Sequence, residues 1–224
     1  MHKVLVVAVH PDDETLGCGG TILKHREAGD EINWMIITSI NNHPLGIWGD
    51  EIVAHRDNIV KRVAEAYGFN SVVDMGYPTI MLDNIDLGKL VSDIGKTLDD
   101  IKPDTIYLMY QNDVHSDHRI AFQAVYSTLK SFRRPFIRRI LMMETPSETE
   151  FAVATPPTSF IPNVFVDISD FIEKKLEIMK IFDTEVMELP YPRSLSSIEA
   201  LARYRGSRAG VMYAEAFMLL YERL

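Results

Sequence analysis

Two short stretches of this chain are dense in residues that bind metals and move protons. The first is His10-Pro11-Asp12-Asp13-Glu14; the second runs from Asp113 through His115-Ser116-Asp117-His118. A hydrolytic zinc centre takes three protein ligands from histidine and carboxylate and keeps its fourth position for water. The metal acidifies that water and polarises a carbonyl, so the protein must still supply a base to take the proton. Two histidines and one aspartate from these stretches satisfy that need, with one or two acids left over. Residue types alone leave the pair Asp12 and Asp13 undivided. Neighbouring side chains on an extended segment point opposite ways, so one acid can face a metal while the other faces water or substrate. Each stretch is weak by itself, because paired acids after a strand commonly serve a solvated turn or a helix start. Their joint occurrence carries the argument if the fold brings them together. Pro11 stiffens the first loop, which suits a ligand set held in place before binding.

The elements between them predict that meeting. Val4 to Val9 is a short apolar, β-branched run of the kind buried on both faces of a parallel sheet. A helix is expected over Gly20 to Ala28, closed by Gly29, then a strand over Glu31 to Thr38. Further helices are expected over Asp50 to Tyr67, Ile85 to Ile101, Asp117 to Phe132, Ser169 to Val186 and Ala214 to Tyr221. Strands are expected around Val72 to Met75, Thr105 to Tyr110, Arg138 to Met143 and Val164 to Ile168. The alternation predicts an α/β fold, a Rossmann-like three-layer sandwich with a mostly parallel sheet, as one domain over residues 1–224. Ligands in such sheets bind beyond the carboxyl ends of the strands. The two stretches follow the first and fourth strands and so reach the same edge.

Bulk properties narrow the class. Hydrophobic residues are 46% of the chain and charged residues 25%, a globular balance. A net charge of −9 argues against nucleic acid as a partner, since phosphates need a basic face. Cys18 is the single cysteine, so no intrachain disulfide can form. No apolar run is long enough for a membrane span, and a cytoplasmic location is expected.

The segment Ala8-Val9-His10-Pro11-Asp12-Asp13-Glu14 closely resembles the A-x-H-P-D-D-E signature of the LmbE-like, or PIG-L, family of zinc-dependent N-deacetylases. His115-Ser116-Asp117-His118 is similar to that family's H-x-D-H motif, and Arg119 continues it. Pro103-Asp104, Arg56 and the segment from Arg205-Gly206-Ser207 to Phe217 extend the likeness over nearly the whole chain. The resemblance implies Zn2+ held by His10, Asp13 and His118, with Asp12 as general base. It implies that His115 stabilises the oxyanion or protonates the leaving amine, with Asp117 orienting its imidazole. Such a histidine would be protonated, supplying positive charge where negative charge develops. Arg56 is by resemblance a substrate-pocket arginine, against the reading of an exposed helix residue. The implied reaction removes an N-acetyl group from an amino sugar or sugar conjugate, a small molecule. A homo-oligomer is an open expectation.

Other residues have plainer readings. Glu14 should support the start of a helix, and Cys18 should be a small buried hydrophobe. Within the loop from Asn41 to Gly49, Trp48 can stack on a sugar or pack under its own loop. Arg203-Tyr204-Arg205 can meet an anionic substrate or anchor the C-terminal segment. Many relatives carry a glycine soon after Thr-Ser, where this chain has Thr38-Ser39-Ile40-Asn41, which changes the pocket wall. The rival readings are an amidase on another sugar or thiol conjugate, a metal-dependent phosphoesterase, and a non-catalytic sugar-binding module.

Overall fold

The computed structural model describes residues 1–41 and 43–224. Five strands, β1 (Lys3–Ala8), β2 (Glu31–Ser39), β3 (Ser71–Pro78), β4 (Thr105–Leu108) and β5 (Arg139–Met143), run parallel. With β6 (Val164–Asp167) and β7 (Ala214–Glu222) they form one sheet in the order β3-β2-β1-β4-β5-β7-β6. Only β7 runs against the direction of the other six strands. The helices are α1 (Asp13–Glu27), α2 (Asp50–Tyr67), α3 (Leu87–Ile101), α4 (Ser116–Thr128), α5 (Ile172–Met179) and α6 (Leu195–Ala209).

Alternation along β1 makes the three layers. Leu5 and Val7 join the cluster that contains Leu90, Ile94 and Leu98 of α3 and Ala121 and Val125 of α4. Val4, Val6 and Ala8 join the opposite cluster, with Ile22 of α1, Ile59 and Val63 of α2, and Ile178 of α5. Every residue from Val4 to Val9 is fully buried, as a strand between two helical layers must be. The chain leaves β1 first towards β2 and β3, then returns to build β4 and β5 on the other side. The switch point therefore lies between the carboxyl ends of β1 and β4, where the two ligand-rich stretches emerge.

Three expectations are corrected. Residues 214–222 form strand β7 rather than a helix, pairing Arg139 with Glu222 on one side and Asp167 with Ala214 on the other. The segment is rich in helix-forming residues, but two flanking strands outweigh local propensity. Helix α6 was not anticipated, although Ser194 caps it by accepting from the Ser197 amide and Gly210 ends it in the left-handed region. Helix α5 is shorter than the Ser169 to Val186 span expected of it.

Helix α1 begins at Asp13, well before Gly20, and is broken at Cys18, which has φ −147° and ψ 23°. A break of this kind frees backbone groups that need partners. Glu215 on β7 supplies them, accepting from the Gly20 and Thr21 amides at 2.9 and 2.7 Å. Lys175 neutralises Glu215 at 2.7 Å and donates to the freed Leu16 carbonyl at 2.9 Å. Both side chains are at most 4% exposed. Helix α6 reaches β7 through a turn that presses on Gly206, where a Cβ would lie 2.7 Å from the Met212 carbonyl oxygen.

Lys175→Met should cost about 3 kcal/mol, because it strands a buried carboxylate that keeps only neutral donors. Gly206→Ala should also destabilise, by about 1–3 kcal/mol, since backbone overlap exceeds the gain in helix propensity. Urea unfolding midpoints at constant slope would check both; an unshifted midpoint in either variant would contradict the corresponding packing argument.

Candidate metal centre and substrate pocket

The turn after β1 is set by its own carboxylates. Asp13 Oδ2 accepts from the amides of Val9 and His10 at 2.8 and 2.9 Å, which folds its side chain back over the strand end. Asp12 is at φ 143°, a region that side chains other than glycine avoid. Such strain persists only where surrounding bonds over-determine it, and it concentrates at functional sites. Here Glu14 Oε2 takes the Asp12 amide at 3.1 Å, while the Asp12 carbonyl accepts from Thr15 and Leu16 at 3.0 and 2.9 Å. Glu14 is wholly buried, and burial raises its pKa to about 7. The adjacent acids diverge as their different tasks require, Asp13 towards His118 and Asp12 towards Arg193.

His118 enters from the first turn of α4 and is completely buried. Its Nδ1 pairs with Asp113 Oδ2 at 2.8 Å, and Asp113 Oδ1 accepts from Thr149 at 2.7 Å. Among the described residues its Nε2 has no hydrogen-bond partner, and it lies 3.5 Å from Asp13 Oδ2. Burial pulls the imidazole pKa down, but Asp13 and Asp113 outweigh it and raise it to about 9. The surroundings thus call for positive charge at an orphaned ring nitrogen. A metal ion would meet both demands by replacing the proton. One ligand atom each from His10, Asp13 and His118 lies within 4.8 Å of the others. The Asp113–His118 pair is the carboxylate–histidine arrangement that orients metal-binding imidazoles. The residues fit a zinc-type centre.

Asp117 does not orient His115 through its carboxylate as expected. Its two oxygens take the amides of Ile80 and Leu82 at 2.6 and 3.1 Å, with His10 Nε2 at 3.4 Å from one of them. What Asp117 gives His115 is its main-chain amide, donated to Nδ1 at 3.1 Å. That bond leaves Nε2 as the nitrogen carrying the proton. Burial, reinforced by His10 and His118, lowers the His115 pKa to about 4. That direction favours a neutral imidazole here over the expected imidazolium. His10, His115 and Asp117 form a second possible ligand group, but it shares His10 and both Asp117 oxygens already accept amides.

A cavity of about 350 Å³ opens over these groups. Its lining includes Asp12, Asp13, His10 and His115, the apolar residues Ile40, Trp48, Ile52 and Ile80, and the charged residues Arg56, Glu148, Glu185 and Arg193. Arg56 is no exposed helix residue: it donates to Glu185 at 2.7 Å and to the Pro11 carbonyl at 3.0 Å. Arg193, which sequence reasoning missed, donates from one nitrogen to Asp12 at 3.0 Å and to Glu185 at 2.7 Å. Burial first, then Asp13 and Glu185, raise the Asp12 pKa well above the usual carboxylate range, with Arg193 and Arg56 opposing. No local pattern marks Arg193, which meets Asp12 across 181 positions of sequence. Asp113 was visible in its motif but acquires its role only through the contact with His118.

The remaining expectations separate cleanly. Trp48 lines the cavity while packing edge-on against His43, with ring centroids 4.8 Å apart. Asn42 of the same loop lies outside the described residues. Arg205 grips Glu144 through two nitrogens, and Arg203 pairs with Glu199 and Tyr213, so this tripeptide anchors the C-terminal segment. Cys18 is fully buried, which pushes its thiol pKa up as expected of an inert hydrophobe.

Among the described residues, no helix is long and apolar enough to cross a membrane. The chain is 29% identical over 224 aligned residues to diacetylchitobiose deacetylase of Thermococcus kodakarensis, covering 95% of this chain and 81% of that one. It is 26% identical to a probable N-acetyl-alpha-D-glucosaminyl L-malate deacetylase of Bacillus anthracis, over 83% of this chain and 84% of that one. The same fold recurs in GalB, a 4-carboxy-2-hydroxymuconate hydratase of Pseudomonas putida. That structure has a TM-score of 0.76 at 18% identity, covering 100% of this chain and 98% of that one. The model of the family described as PIG-L, GlcNAc-PI de-N-acetylase, matches residues 5–129, a span that includes both ligand-rich stretches. This chain belongs to the PIG-L, or LmbE-like, family.

Proposed function

We propose that this protein is a zinc-dependent hydrolase that removes the N-acetyl group from an amino sugar or sugar conjugate. The observation that carries the reading is His118 Nε2, a completely buried nitrogen without a hydrogen-bond partner among the described residues, on a ring that faces Asp13 and is fixed by Asp113. His10, Asp13 and His118 would hold the ion. Zinc, when bound, supplies Lewis acidity to an amide carbonyl and acidity to a water. Asp12 takes the proton of the attacking water, its raised pKa bringing it towards the working range of a general base. Arg193 holds one oxygen of that carboxylate and so directs the other. His115, with Nδ1 filled by the Asp117 amide, offers its Nε2 proton to the carbonyl oxygen as negative charge develops there. Asp117 serves as a scaffold, fixing the main chain at Ile80, which lines the cavity, and at Leu82 in the core behind it.

A phosphoesterase built on two metals is disfavoured, because the two possible ligand groups among the described residues share His10. The likeness to GalB carries fold alone, so the site residues and the deacetylase relatives support the reaction class. The two deacetylase relatives differ in the molecules they are named for, one a chitobiose and the other a malate conjugate. Sugars of both kinds therefore belong in the assay, together with thiol-sugar conjugates for the amidase alternative.

Purified protein should hold about one zinc per chain and release acetate from N-acetyl sugars. Phosphate release from monoesters with no acetate from any sugar would sink the proposal. Asp12→Asn should keep the metal and lose about 100- to 10,000-fold in kcat, whereas His118→Ala should lose the metal. Equal metal loss in both would exchange the roles assigned to them. Arg193→Ala should lower kcat by about tenfold or more with little change in KM, and Arg193→Lys should recover part of it. A change confined to KM would place Arg193 on the substrate instead.

A further inference from the structure

The acids and bases around the cavity do not balance. Four carboxylates line it, those of Asp12, Asp13, Glu148 and Glu185, against the two arginines Arg56 and Arg193, and no lysine is among its described lining residues. Both arginines are already engaged with acids of the protein, Arg56 with Glu185 and Arg193 with Asp12 and Glu185. Asp13 faces the histidines. Glu148 is the acid left over: among the described residues it forms no ion pair, and its side-chain contact is Ser147 Oγ at 3.3 Å.

Its position is built rather than incidental. The Glu148 carbonyl accepts from the Val114 amide at 3.1 Å, and the Glu148 amide donates to the Thr145 carbonyl at 3.1 Å. The next residue, Thr149, donates to Asp113 and accepts from the Thr145 amide at 2.9 Å. The bonds that fix Asp113 behind His118 therefore also fix the root of Glu148, whose half-buried carboxylate stands within electrostatic reach of His118, Asp13, His10, Asp113 and Arg193. A ligand filling the cavity meets this carboxylate among the lining side chains.

We infer that Glu148 is a specificity-determining residue, which turns the pocket against N-acetyl sugars bearing an anionic group and towards uncharged saccharides or those carrying a free amine. The inference rests on the deacetylase reading and adds to it the charge class of the substrate. An anionic group near Glu148 meets a like charge, and both arginines of the lining are already paired with acids of the protein. A protonated amine, including the one that deacetylation exposes, finds the acceptor that the arginines leave free.

The test compares three N-acetylated sugars on the zinc-loaded enzyme: N,N′-diacetylchitobiose, its singly deacetylated form and N-acetylglucosamine 6-phosphate. The phosphorylated sugar should have a kcat/KM about tenfold or more below that of the neutral one, and Glu148→Gln should raise the phosphorylated-to-neutral ratio about tenfold. Calorimetric binding of glucosamine provides a readout without turnover, and Glu148→Gln should weaken it about tenfold. A wild-type preference for the phosphorylated sugar, or a ratio unchanged in Glu148→Gln, would overturn the inference and leave the deacetylase reading intact. Absence of acetate from all three sugars would count against that reading instead. Glucosamine binding unchanged by the substitution would then overturn the inference separately.

Discussion

A buried imidazole held between two carboxylates is the interaction on which the rest of this site depends. His118 has no access to water, so each of its ring nitrogens needs a partner from the protein or from a ligand. Asp113 satisfies one and leaves the other facing Asp13. That arrangement is unfavourable for a neutral, metal-free histidine and favourable for a cation. It also dictates geometry elsewhere. Asp113 must be buried to reach His118, Thr149 must be brought in to satisfy Asp113, and the loop after β5 is thereby tied to the loop after β4. The same tie delivers Glu148 to the cavity.

The turn after β1 shows a second consequence. Asp13 can fold back over its strand end only if Asp12 accepts an unfavourable backbone conformation, and three neighbouring hydrogen bonds hold it there. Strain at Asp12 separates the two acids, one towards His118 and the other towards Arg193. The Arg193–Glu185–Arg56 chain then closes on the Pro11 carbonyl, so the strained turn is braced from outside by groups contributed from α2 and from the segment before α6. Position and electrostatics are set by the same bonds.

Scaffold and chemistry separate in this architecture. The occurrence of the same fold in a hydratase means that the sheet order and the switch point permit several reactions. The side chains gathered at that point in this chain are His10, Asp13 and His118, which could hold a metal ion, Asp12 paired with Arg193, and His115 bonded by the Asp117 amide. Even the helix α1 break serves the scaffold, since Lys175 and Glu215 satisfy the backbone freed beside the site without entering the cavity.

The sequence by itself determined the layers and the place of the site. Continuous β-branched runs report burial on both faces, and the ligand-rich stretches sit directly after two of them, so their convergence follows from local pattern and the geometry of parallel sheets. Helix α2 was legible to the residue because Gly68 ends it in the left-handed region. Strand β7 was not, because its residues favour a helix until β5 and β6 flank them. The tertiary structure alone decided that Arg193 reaches Asp12, that Asp113 pairs with His118 while the Asp117 carboxylate takes the Ile80 and Leu82 amides, and that Glu148 forms no ion pair among the described residues. The first joins side chains 181 positions apart, and the other two turn on which way neighbouring side chains point. Such pairings depend on burial and direction, which residue type and spacing do not encode.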